Sequence, residues 1–394
     1  MSHSAIARLI GQYILPIGFM MFLTFLCIIE SRSGYHTRLY LFISLPALLI
    51  SIIQPKLFLK ALKSTAFQIF FLLCAFAMFS ALWNEAEVAD LRDIRYLINI
   101  ILFSLAVIYL HHYRQDALEK SLFLAAIVWA GFGVLELYEI YYQQGLPLSS
   151  RIVGSGSLSN TLLTSHVYGA FATFIASHYL TSKKYHRYQI FYIVIFFSLL
   201  VFIIQTHSRT PLLAMAAAFG CLLLKHRNKQ VSYLALLLIA SFAVYALFNY
   251  DLLVLRGFSF RPEIWLTAFN DIQNKPFFGH GIGSEMSFFI PSLNITFSDS
   301  HNLHIGLIYQ LGLVGLVIWL SLIAYLLRLY LKNTHNLLIA TGFPMLIYGI
   351  TAGMTEGGSF FSRPKEVWFL TWLPIAMLAA ADIHKHSQSY NDKN

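Results

Sequence analysis

Tyr13-ILPIGFMMFLTFLCI-Ile29, followed by Glu30-Ser31-Arg32, is an unbroken apolar run closed by charge. A helix crossing the hydrocarbon of a bilayer needs about 20 such residues. No small-residue cleavage site follows the run, so it reads as a retained first span and not as a removed leader. Runs of the same kind recur roughly at 37–54, 66–83, 96–111, 120–140, 161–180, 189–206, 210–224, 231–249, 301–327, 335–354 and 367–382. The eighth is short, and the tenth is long enough to tilt or to begin outside the lipid. Composition agrees. The chain has 394 residues, of which 58% are hydrophobic and 11% charged, where a soluble domain carries about a quarter charged. The excess apolar surface must face lipid. The expected fold is an all-α polytopic membrane protein with about 12 transmembrane helices.

Charge then orients the spans. With both termini in the cytoplasm, most of the 27 Lys and Arg fall in the cytoplasmic loops and most of the 18 acids outside them. That is the bias expected of a multi-pass inner-membrane protein. It also explains the formal +9 through topology and anionic lipid, with no nucleic-acid partner. Cys27, Cys74 and Cys221 lie inside apolar runs without metal-like spacing and read as small buried hydrophobes. Two external connections are long, about 141–160 and 250–300, and long loops on compact scaffolds tend to be functional. The chain therefore divides into spans one to nine (1–249), the long external loop (250–300), spans ten to twelve (301–382) and a polar tail (383–394).

Inside the long loop, Arg261-Pro262-Glu263-Ile264-Trp265 opens a helix: proline suits its first position and glutamate its first turn. Ile264, Trp265, Ala268, Phe269 and Ile272 recur at helical spacing. They predict a short amphipathic helix that lies at the interface or packs on the bundle. Lys275-Pro276 ends it, and Gly279-His280-Gly281-Ile282-Gly283 follows as a flexible turn. No strand precedes these glycines and no helix opens on them, so they are not a dinucleotide fingerprint. The loop closes on Asp299-Ser300-His301-Asn302, and Gly312 and Gly315 further along allow close helix approach.

The polar residues of the external face suggest chemistry. An imidazole at a membrane–water boundary can take a proton from a hydroxyl near neutral pH. His301 is the candidate base; the plainer alternative is an interfacial histidine beside a helix cap supplied by Ser300 or Asp299. Arg209, Arg151, Arg256 and Arg261 stand on the face that the charge rule disfavours. Each could snorkel or pair with Glu136, Glu139 or Glu263. A shared diphosphate would give all four one reason to be there, because guanidinium forks bind phosphate oxygens bidentately and stay charged. Glu356, in Thr355-Glu356-Gly357-Gly358, could orient a base, bind a sugar or partner Arg363. His280, His301, His304 and Asp299 are close in sequence but lack a His-x-x-x-His helix with its glutamate. Ser208 and Ser300 lack a nucleophile-elbow context. No metal and no cofactor is expected.

Ser208-Arg209-Thr210-Pro211-Leu212-Leu213 forms an Arg-x-x-x-Leu element, then come Arg261-Pro262-Glu263-Ile264-Trp265, the glycine run, His301-Asn302 and Gly312-Leu313-Val314-Gly315. In that order, on this scaffold, the chain resembles the bacterial O-antigen ligase family. The likeness rests on motifs from about Arg151 to Gly315 and elsewhere on hydropathy. It implies a membrane-embedded glycosyltransferase. The implied donor is an undecaprenyl-diphosphate-linked glycan on the periplasmic side, and the implied acceptor a hydroxyl of lipid A–core oligosaccharide. His301 matches the family's proposed base, Arg209 its Arg-x-x-x-Leu arginine and Arg261 its loop-helix arginine. Arg151 and Arg256 would add diphosphate contacts; Asn302, Asp299 and Glu356 would support the site. O-antigen polymerases and protein O-oligosaccharyltransferases share the pattern. A transporter or flippase is the non-enzymatic rival, but it would place charges in mid-span.

Overall fold

A computed structural model describes residues 2–84, 91–158, 160–182, 187–225, 233, 236, 260–333 and 335–391. The longer helices are α1 (His3–Ile28), α2 (Arg32–Ile53), α3 (Thr65–Trp83), α4 (Leu91–Tyr113), α5 (Ala117–Gln143), α6 (Thr161–Thr181), α7 (Gln189–Gln205) and α8 (Thr210–Lys225), with a short turn of helix at Pro55–Ala61 between α2 and α3. After them come α9 (Arg261–Ile272), a hairpin of β1 (Phe288–Ile290) and β2 (Ile295–Phe297), α10 (Leu303–Lys332), α11 (Leu337–Gly353) and α12 (Trp368–Ile383). Six of the described helices are long and apolar enough to cross a membrane. Helices lie on every expected span except the ninth, which, like Arg256, falls outside the described residues apart from Tyr233 and Leu236.

The outer helix faces stay apolar. Ile17, Ile52, Leu72, Ile190 and Val317 are all more than half exposed, a pattern suited to lipid and not to water. Pro16, Pro46 and Pro374 lie inside helices, where each lacks an N–H and would clash with the carbonyl four residues back. Each is preceded by one five-residue wide turn, at Ile10–Ile14, Tyr40–Ser44 and Trp368–Trp372. The wider turn makes room for the ring without breaking the rod. Asp382, an acid that the charge rule leaves at the cytoplasmic end of the last span, is fully buried. Its carboxylate accepts from Ser64 Oγ at 2.8 Å, the Ala66 amide at 3.2 Å and Tyr325 Oη at 2.9 Å. It therefore ties α12 to the start of α3 and to α10.

Above the bundle, α9 buries Ile264, Ala268 and Ile272 against Phe288 and Ile290 of the hairpin and Ile305 and Tyr309 of α10. The loop helix thus docks on protein, with Phe269 left outside. The hairpin, antiparallel with Phe288 opposite Phe297, has no clear signal in the sequence.

The glycine run is not a flexible turn. Helix α10 breaks at Gly312 (φ 62°, ψ −161°), and a broken helix leaves amides and carbonyls without partners, which is costly inside a membrane protein. The run and the Pro276–Phe277 segment just before it supply them. The His280 and Gly281 amides donate to the Tyr309 and Gln310 carbonyls, both at 2.9 Å. The Leu313 and Val314 amides donate to Pro276 at 2.8 Å and Phe277 at 3.1 Å. A Cβ on Gly312 would stand 2.4 Å from the Phe277 carbonyl. Gly312→Ala is therefore expected to lose about 1–3 kcal/mol. The measurement is the melting midpoint in detergent, with hydrogen exchange at Leu313 and Val314; an unchanged midpoint would refute the packing argument. The run's other edge is pinned to the end of α3: the Ile282 amide donates to Ser80 Oγ at 2.9 Å, and Asn84 Nδ2 to the Ile282 carbonyl at 2.8 Å.

Candidate functional site

His301 sits two residues before α10, just ahead of its cap, in the left-handed region, φ 47°, which is strained for a residue with a Cβ. The turn that holds it there is built from several elements. The His301 amide donates to Asp299 Oδ1 at 2.8 Å, and the same oxygen lies 3.1 Å from His301 Nδ1. The helix cap is Asn302, not Ser300 or Asp299: its Oδ1 accepts from the His304 and Ile305 amides at 2.9 and 3.1 Å. Asn302 Nδ2 donates to the Met354 carbonyl at 2.8 Å, bracing the turn on the end of α11. Trp265 Nε1 of α9 donates to the Ser300 carbonyl at 3.0 Å. The Phe297 ring of β2 stands edge-on to the imidazole, centroids 5.9 Å apart. The imidazole itself remains 37% exposed, open to an incoming group.

Arg261, first residue of α9, donates from Nε to the Thr355 carbonyl at 3.0 Å and through Nη2 to Glu356 Oε1. Glu356 therefore partners Arg261 and not Arg363. Gly358, two residues on, lets Asp299 pack against this segment: a Cβ there would lie 2.0 Å from Asp299 Cβ. Burial pushes the Glu356 carboxyl up to about 7 against the pull of the Arg261 guanidinium, with Asp299 and Glu366 adding repulsion. The folded protein thus holds this proton more tightly than the unfolded chain. Between the ordinary value of 4.5 and about 7, rising pH should cost stability, with the loss complete above that window. Glu356→Gln should remove this component. Comparing melting midpoints of wild type and variant at about pH 5 and about pH 8 checks it; parallel shifts would overturn the burial argument.

A cavity of about 590 Å³ lies beside this cluster. His301, Asp299 and Glu356 line it, together with Arg92, Asp93, Asn160, Glu285, Gln310, Lys365 and Glu366. The charge rule could have drawn attention to Arg92 and Lys365, which it assigns to the same disfavoured face as the arginines. Glu285 and Gln310 carry no such signal.

Arg151 and Arg209 do not line this cavity. Arg151 Nε donates to the Thr206 carbonyl at 2.7 Å, and the Ile152 amide to the Gln205 carbonyl at 3.2 Å. The shorter external loop is thus fastened to the end of α7, and Arg151 rests on the turn that carries Arg209. Asn160 of that loop does reach the cavity while capping α6, its Oδ1 accepting from Leu162 at 2.9 Å. Among the described residues, Glu136 and Glu263 are engaged by serines and not by Arg151, Arg209 or Arg261. Glu136 accepts from the Ser155 amide at 2.6 Å, and Glu263 from Ser292 Oγ at 2.6 Å. The neighbouring histidines have separate partners: His304 Nε2 lies 3.0 Å from the Ile350 carbonyl, and His280 Nε2 lies 3.2 Å from that of Asp271.

A family model described as O-antigen ligase matches residues 193–320. That stretch includes Arg209, Arg261, His301 and the break at Gly312. A Pseudomonas aeruginosa protein named O-antigen ligase is 33% identical over 383 residues, covering 95% of this chain and 92% of the relative.

Proposed function

This chain belongs to the O-antigen ligase family, and from that premise we propose that it transfers a glycan from undecaprenyl diphosphate to a hydroxyl of lipid A–core oligosaccharide on the periplasmic face of the inner membrane. The observation that carries the reading is His301, open on the wall of a polar cavity with a carboxylate 3.1 Å from Nδ1. Asp299 favours the proton on Nδ1 and leaves the Nε2 lone pair as the acceptor. As the acceptor oxygen attacks the anomeric carbon, Nε2 takes its proton. The bond from that carbon to the diphosphate oxygen breaks, and its electron pair leaves with undecaprenyl diphosphate. One displacement inverts the anomer, with no covalent glycosyl-enzyme. Diphosphate is already a good leaving group, so the protein need only stabilise charge growing on the bridging oxygen. Arg209, Arg261, Arg151 and Arg256 are the residues proposed to do so. Arg209→Lys should impair transfer, because a point charge does not replace the fork.

Deleting the gene and resolving lipopolysaccharide on a gel tests the reading. The expected result is core without O-antigen and accumulation of lipid-linked polymer. Core capped by one repeat would mark a polymerase instead, and an unchanged pattern would exclude both.

A further inference from the structure

At the end of the bundle opposite His301, α5 and α7 flank an apolar groove. Helix α6 fixes the direction: Asn160, its cap, lines the His301 cavity, and His178 in its last turn lines the groove. The groove encloses about 1040 Å³. Leu124, Ile127 and Leu135 of α5 face Phe191, Val194 and Ile195 of α7 across it, and all but Ile195 are exposed. Gly131 lines it too. Glycine weakens a helix interior, and no neighbour calls for one here: a Cβ would meet nothing within 4 Å.

The mouth of the groove is charged. Glu119 and Lys120 of α5 and Tyr188, just ahead of α7, line it. The Arg187 guanidinium lies over the Tyr188 ring, 4.6 Å from its centroid, and Asp116 pairs with Lys120. One strap ties three helices there: His178 Nε2 lies 2.9 Å from Glu119 Oε1, and Tyr192 Oη 2.8 Å from His178 Nδ1. The mouth is therefore shaped before anything enters it, as binding sites commonly are.

Length and charge identify the occupant. The α7 wall runs ten residues from Tyr188 to Ser198, and the α5 wall fifteen from Lys120 to Leu135. At 1.5 Å per residue these are about 15 and about 22 Å. Half a bilayer measures about 15 Å of hydrocarbon and about 22 Å with its headgroup layer. The groove thus suits a lipid of one leaflet with its head at Lys120. A lipid anchored at the His301 end would set its apolar tail against this charged mouth. Two cations, Lys120 and Arg187, stand near two carboxylates, Asp116 and Glu119. Basic residues between membrane helices recognise phosphate headgroups, and carboxylates accept from an ammonium. Exposed pairs such as Lys120 with Asp116 are weak, so a headgroup of both signs exchanges into them at little cost.

We propose that this groove binds one aminophospholipid, with its acyl chains between α5 and α7 along Gly131, its phosphodiester between Lys120 and Arg187, and its ammonium on Asp116 and Glu119. The site is separate from the His301 cavity and stands whether or not the transferase reading does.

The test titrates the purified full chain in detergent with phosphatidylethanolamine, or with phosphatidylglycerol of the same acyl chains, and counts bound lipids by native mass spectrometry. One phosphatidylethanolamine per chain should bind, with a Kd at least about five-fold below that of phosphatidylglycerol. Gly131→Phe, which fills the groove, should weaken that binding about ten-fold while the lipid-free protein keeps its melting midpoint. The pair Lys120→Gln and Arg187→Gln alters only exposed side chains. It should weaken binding by a similar factor, and it decides the matter if Gly131→Phe does not fold. Equal or tighter binding of phosphatidylglycerol would overturn the proposal. So would binding that ignores these substitutions, displacement of the phospholipid by undecaprenyl phosphate, or a lipid-free dimer that Gly131→Phe dissociates.

Discussion

Replacing His301 with alanine should lower the rate of glycan transfer by about two to four orders of magnitude, the usual contribution of a general base. The protein should still fold. The turn is held by groups that the substitution spares: Asp299 on the residue's own amide, Asn302 on α10 and Met354, and Trp265 on Ser300. Relief of the positive φ does not come with alanine, which also carries a Cβ. The discriminating measurement is turnover at saturating donor and acceptor, beside a melting curve in detergent. Loss of turnover with an unchanged midpoint is the expected pair. Near-normal turnover would remove His301 from the mechanism.

The second large effect concerns Arg261. Arg261→Ala should cost about 3 kcal/mol, because removing one member of a buried pair leaves the other uncompensated. Glu356 can soften this by taking up a proton, since its carboxyl already sits at about 7. The loss should therefore be smaller at about pH 6 than at about pH 8. The double change Arg261→Met with Glu356→Leu should recover most of the stability, as apolar replacement of buried pairs often does. It should not recover transfer if Arg261 also serves the diphosphate. Melting midpoints of the single and double variants at both pH values, read beside transfer, separate the two roles. Full activity in the double variant would confine Arg261 to structure.

Much of the site is legible one residue at a time. His301, Asp299, Asn302, Arg261 and Glu356 stand out as polar groups at the ends of apolar runs, and the structure gathers them around one turn. Their partnerships are not legible. Arg261 meets Glu356 across 95 positions, and spacing along the chain says nothing about a contact made by docking α9 on the end of α11. Arg151 and Arg209 share with Arg261 a residue type and a face, yet they gather at the end of α7 and not on the cavity. The glycine run misleads for a related reason. Glycines lower local order in an isolated chain, whereas in the folded protein their backbone completes the hydrogen bonds of a broken helix.

By itself, the sequence determined the lipid-facing helices, their approximate ends and the loop helix at Arg261–Ile272. Apolar length, helical period and capping chemistry are local quantities, and each is written within a stretch of neighbours. Only the tertiary structure decided that Asn302 and not Asp299 caps α10, that Asp299 turns to His301 instead, and that Glu285, Gln310 and Glu366 share a cavity with them. Those outcomes depend on which distant element arrives at each turn: the end of α11 at Asn302, α9 at Ser300 and the glycine run at Gln310.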